Sequence, residues 1–150
     1  QEDFRLSAGD GDNQVRIQYS NIEDINVFTG KGDDLVDIQA TRARKSLNVR
    51  TGDGMDNVTL NNSVVLADPA AIDTGNGNDN INVTSNYFLD KLYVRAGGGT
   101  DNVNLVPDNV QYWDDVRLDG GSGGGDNLTT LAFHYSIRNE SKGFENFSIV

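Results

Sequence analysis

Six aspartate or asparagine residues recur at one place in a repeated turn: Asn13, Asp34, Asp56, Asp79, Asp101 and Asp126. Each lies in a ten-residue stretch of the form [TA]-G-x-G-x-[DN]-x-h-x-h, where h is apolar. Residues 51–60 (TGDGMDNVTL) and 74–83 (TGNGNDNINV) show it plainly, and residues 121–130 (GSGGGDNLTT) are a modified copy. The column repeats after 21, 22, 23, 22 and 25 residues. Glycines let the backbone take positive φ and turn its carbonyls toward one point, and the carboxylate closes the turn. Stacked turns of this kind would surround a gap with oxygens from two coils. A hard cation taking about 6–8 oxygens at about 2.3–2.6 Å suits such a gap, and calcium is its usual occupant. A metal-free reading stands beside this one: Asp or Asn at a positive-φ corner also caps backbone N–H groups.

The elements that must position these turns are short strands. Each copy is preceded by an alternating pair (Phe4/Leu6, Ile25/Val27, Leu47/Val49, Ala70/Ile72, Leu92/Val94, Val116/Leu118). Each is followed by another, such as Val15/Ile17, Val36/Ile38 and Val58/Leu60. Period-2 alternation buries one face of a strand. A third apolar column, Ile22, Ala43, Val65, Phe88, Val110 and Tyr135, falls nine residues after the Asp position. The pattern predicts an all-β chain, a right-handed parallel β-helix of about six coils of about 22 residues, in a single domain over 1–150. Phe147/Ile149 reads as the start of a seventh coil. Outward positions Arg50, Asp73, Arg95 and Asp119 predict an alternating charge ladder, and Asn57, Asn80, Asn102 and Asn127 an Asn ladder.

At the turn, the sequence resembles the calcium-binding repeats of hemolysin-type (RTX) secreted bacterial proteins, whose nonapeptide is G-G-x-G-x-D-x-U-x. Residues 97–103 (GGGTDNV) come nearest to it, and 75–81 (GNGNDNI) show the commoner form here. The chain departs from that family in placing Thr or Ala at the first Gly, in a period of 22 rather than 9, in Asn13 and in Ser122. The resemblance implies calcium held by the carboxylates of Asp34, Asp56, Asp79, Asp101 and Asp126. Its other ligands would be carbonyls of the turns at Gly30, Gly32, Gly52, Gly54, Gly75, Gly77, Gly97 and Gly99.

Composition bounds the rest. There are 19 Asp against 4 Glu, 12 Lys+Arg, a net charge of −11, no Cys, and 54 Gly, Asn and Asp together. An acidic surface excludes nucleic acid as a partner. No apolar run is long enough to insert in a membrane. The lone His134 has no paired carboxylates in a cleft, and the corners between coils are too short to build one, so the chain reads as non-catalytic. The expected role is an extracellular or cell-surface structural rod: adhesin stalk, surface-layer element or fibre subunit. Its partners would be calcium and either further coils of a longer chain or copies of itself head to tail. The alternative is a β-helix module that binds or modifies glycans: of the pairs Tyr87/Phe88 and Tyr112/Trp113 at the third corner, one residue of each is expected in the core and the other could stack on a sugar.

Overall fold

The computed structural model describes residues 2–106, 116–130 and 143–149, and these form strands and turns without a helix. One sheet runs β1 (Phe4–Ser7), β4 (Ile25–Phe28), β7 (Leu47–Asp53), β10 (Ala70–Asn76), β13 (Leu92–Arg95), β15 (Val116–Asp119). A second runs β2 (Gln14–Gln18), β5 (Leu35–Gln39), β8 (Asn57–Asn61), β11 (Asn80–Thr84), β14 (Asn102–Val106), β16 (Asn127–Thr130), β17 (Asn146–Ile149). The third is short: β3 (Asn21–Ile22), β6 (Arg42–Ala43), β9 (Val64–Val65), β12 (Tyr87–Phe88). All pairings between these strands are parallel, and each strand pairs with its counterpart one repeat away. The result is a parallel β-solenoid of about five turns, close to the six expected.

Like stacks on like inside. Ile25, Leu47, Ala70, Leu92 and Val116 follow one another in register in the first sheet. Val15, Val36, Val58, Ile81, Val103 and Leu128 do so in the second. All these side chains are buried, and Ala43, Val65 and Phe88 close the third side of the same core. One coil alone would leave both sides of its apolar layer in water. The core therefore arises only from stacking.

Two features differ from expectation or escape it. Phe147 pairs with Leu128 in the second sheet, so β17 follows a corner instead of starting a coil. Tyr19, Ala40, Asn62 and Ser85 form a positive-φ column (φ 47–55°) where the second sheet turns toward the third. Val110, Tyr112, Trp113, His134 and Tyr135 lie outside the described residues.

Candidate metal centre

The corner between the first and second sheets is built by the Gly-x-Gly turn, and its Asp residues point inward. Asp34, Asp56, Asp79, Asp101 and Asp126 are 2, 2, 1, 0 and 0% exposed. One oxygen of each is used the same way. Oδ1 of Asp34 accepts from the Asn13 backbone N–H (2.7 Å), Asp56 from Asp34 (2.9 Å) and Asp79 from Asp56 (2.9 Å). Asp101 accepts from Asp79 and Asp126 from Asp101, both at 2.8 Å. Each inner carboxylate thus caps the coil before it. The exposed turn side chains cap the coil after it: Asp12 Oδ1 accepts from Asp33 N–H (3.0 Å), Asp33 from Met55 (2.8 Å), Asn78 from Thr100 (2.8 Å). The turn is a staple in both directions along the rod.

Facing the Asp column inside the corner is a column of threonines. Thr29 Oγ1 donates to the carbonyl of Thr51 (2.9 Å), Thr51 to Thr74 (3.2 Å) and Thr74 to Ala96 (2.8 Å). The Thr that replaces the first Gly of the family pattern is therefore an internal hydrogen-bonding residue. These hydroxyls run along the column beside the aspartates. Oδ2 of Asp34, Asp56, Asp79, Asp101 and Asp126 is buried without a hydrogen-bond partner. Burial pushes the carboxyls of Asp56, Asp79 and Asp101 above their ordinary value; the Thr51 hydroxyl beside Asp56, the Thr74 hydroxyl beside Asp79 and the capped N–H groups of Asp34, Asp56 and Asp79 oppose it, and neighbouring column carboxylates add to it. At a rung spacing of ~4.8 Å, two carboxylates in a medium of effective dielectric ~20 repel by about 3 kcal/mol. Repulsion of that size favours the uptake of protons or cations at Asp56, Asp79 and Asp101.

The first coil shows what fits there. Asn13 stands in the column, and its side-chain amide donates to the carbonyls of Gly9 (2.9 Å) and Gly11 in its own turn and to Oδ1 of Asp34 (3.0 Å). An electropositive group is thus cradled by turn carbonyls and the next carboxylate. Where Asp replaces Asn that side-chain donor is gone: Oδ1 keeps its backbone N–H, the carbonyls of Gly30, Gly75 and Gly97 accept from backbone N–H groups of the next coil, and Oδ2 is the oxygen left over. The lining is oxygen only, the donor type a hard cation takes, with Oδ2 as the oxygen free to serve as a ligand. The glycines are required by close approach: Gly75 has φ 95°, and a Cβ there would lie 1.9 Å from the Gly52 carbonyl oxygen.

The structure brings all five predicted aspartates into one column and places Gly30, Gly32, Gly52, Gly54, Gly75, Gly77, Gly97 and Gly99 in the turns around it. Asp126, in the modified copy, is as buried and bonded as the others. Glu145 was not anticipated: its Oε2 accepts from the N–H groups of Gly125 (3.1 Å) and Asp126 (2.9 Å), extending the column by one carboxylate. Its signal was Gly143, two residues earlier, in a turn that keeps little else of the pattern. Among the described residues no group of three acidic or histidine side chains gathers at one point. The donor set is instead paired carboxylates of successive coils with backbone oxygen. Asn127 Nδ2 donates to Asn102 Oδ1 (3.0 Å), a rung of the expected Asn ladder. The Arg50–Asp73–Arg95–Asp119 column is in register, yet none of its charges lies within 4.0 Å of an opposite one among the described residues. Comparison of the chain with protein-family models, curated proteins and solved structures gives no match.

Proposed function

We propose that the protein is a non-catalytic, extracellular structural rod whose inner Asp column takes up calcium between coils, stiffening it as a stalk, surface-layer element or fibre subunit. The observation that supports this most is the set of five buried Oδ2 atoms without partners in a stacked column. When bound, calcium supplies positive charge to that column and ties consecutive coils together. Asp34, Asp56, Asp79, Asp101 and Asp126 would hold it with the turn carbonyls. The metal-free reading has its own support, since Oδ1 of each carboxylate already caps a backbone N–H.

A thermal melt in chelator and in millimolar calcium separates the two. A ligand that binds only the folded state at 100 times its Kd adds about 2.7 kcal/mol per site. The expected result is a calcium-dependent rise in midpoint. Asp56→Ala and Asp79→Ala each remove a cap, costing about 1–3 kcal/mol in either buffer, and also shrink the calcium increment. A parent midpoint that is the same in both buffers defeats the calcium reading and leaves the caps alone.

A further inference from the structure

Ala71 lies in the outward column of β10, with Asn48 of β7 and Tyr93 of β13 as its register partners. In a column that also holds Asn26 and Arg117, an alanine leaves one rung without a side chain of any length. Two rungs of ~4.8 Å separate Asn48 from Tyr93, which leaves room for one ring of pyranose thickness between them. The structure has a cavity of about 220 Å³ there, floored by Ala71 and bordered by Asn48, Arg50, Asp73, Tyr93 and Arg95. The Arg117 guanidinium sits 5.4 Å from the Tyr93 ring centroid on the β15 side, while Ala71 is the neighbour of Tyr93 on the other side.

The charges beside this slot are not spent on one another. Neither Arg50 nor Arg95 has an ion pair or a side-chain hydrogen bond among the described residues, although Asp73 lies between them in register. Three guanidinium groups, of Arg50, Arg95 and Arg117, line the cavity against two carboxylates, of Asp73 and Asp119, a local positive excess on a chain of net charge −11. A second cavity of about 270 Å³ shares Asp73 and Arg95 and continues to the corner past Gly75, Asn76, Gly97 and Ser122. An aromatic wall and an apolar floor suit the flat face of a sugar ring. An arginine fork suits a carboxylate, which it binds with two parallel hydrogen bonds. Asp73 and Asn48 accept and donate to hydroxyls, and the second cavity has length and polarity for the next unit. A neutral sugar would leave the guanidinium forks of Arg50 and Arg95 without a bidentate acceptor.

We propose that the slot over Ala71, between Tyr93 and Asn48 and flanked by Arg50 and Arg95, binds uronic-acid residues of an acidic polysaccharide. The site lies on the outer face of the first sheet, away from the inner Asp column, and does not depend on calcium. The test is a calorimetric titration with tetragalacturonate in chelator, beside its uncharged methyl ester. Saturable binding is expected for the acid, weakened about tenfold or more in the ester by loss of the charge-assisted pair. Ala71→Phe, which fills the slot, and Arg95→Gln, which removes an exposed donor, are each expected to cut affinity at least about tenfold. Both positions face outward, so the melting midpoint in chelator serves as the folding control. No saturable binding of the acid, equal binding of acid and ester, or full binding by a folded Ala71→Phe or Arg95→Gln protein overturns the proposal. The calcium reading is scored by melting alone and stands or falls separately.

Discussion

Asp79 shows how one side chain can hold two opposed tasks. Its Oδ1 caps the N–H of Asp56 at 2.9 Å, while its Oδ2 is buried and unpartnered. Asn13 resolves the same conflict by replacing the second oxygen with an amide that meets the turn carbonyls. Asp79→Asn is therefore expected to hold or raise the midpoint in chelator, by an amount on the order of 1 kcal/mol, and to reduce the calcium increment. Melts of the variant in both buffers check this; a midpoint in chelator well below the parent's would mean that the carboxylate itself is needed without metal. The recurrence of Asp at this place was legible in the sequence because a strict spacing in residue type survives six copies. Its burial was not, because Asp is ordinarily an exposed residue and the Thr column that faces it looked like a departure from a glycine. Glu145 escaped for a related reason: a longer carboxylate reaches the same N–H groups from a degraded turn.

Corners, at the next scale, set two different demands on the backbone. The Gly-x-Gly turn stacks so closely that Gly77, at φ 139°, would put a Cβ 1.7 Å from the Gly54 carbonyl oxygen. Gly77→Ala is expected to cost at least about 2 kcal/mol, since neither φ nor space accommodates it. Ala40, at φ 47°, is the opposite case. An L-residue there costs about 1 kcal/mol that glycine avoids, so Ala40→Gly is expected to raise the midpoint by a few degrees. Denaturant melts of the two variants should move in opposite directions. A Gly77→Ala protein as stable as the parent would mean that the corners do not stack this closely. The first corner announced itself through glycine. The second did not, because Tyr19, Ala40, Asn62 and Ser85 share a backbone conformation and no side-chain chemistry. The misplacement of Phe147/Ile149 has the same root. Apolar alternation marks strands of the first and second sheets alike, and only an intact turn before it tells them apart.

For the whole molecule, the inner column couples the rod's stability to pH, and the calcium proposed to bind there would change the sign. Without metal, burial raises the carboxyls of Asp56, Asp79 and Asp101 above the value of 3.8 expected when unfolded. The folded state then holds protons that the unfolded chain has released. Stability falls as pH rises from near 3.8 through the raised values and is recovered as pH is lowered again. Glu23 pulls the other way: hydrogen bonding to Lys45 lowers its carboxyl, so its contribution is lost as pH falls. It is one surface pair, screened by water, against three buried groups, and the buried groups set the trend. With calcium bound as proposed the sign would reverse, because the ion would have to displace any proton from the carboxylate. The chelated rod is thus expected to melt higher near pH 4, close to the unfolded value, than at pH 7.5, and a calcium-loaded rod higher at pH 7.5 than near pH 4. The two curves should converge on the acid side, where protons and calcium compete for the same oxygens. Midpoints measured across that range in both buffers decide it. Curves that run parallel would mean that the inner carboxylates do not bind the ion, whatever calcium does at the surface. A metal increment that survives undiminished on the acid side would point to the exposed turn carboxylates, Asp12, Asp33 and Asp53, in place of the inner column.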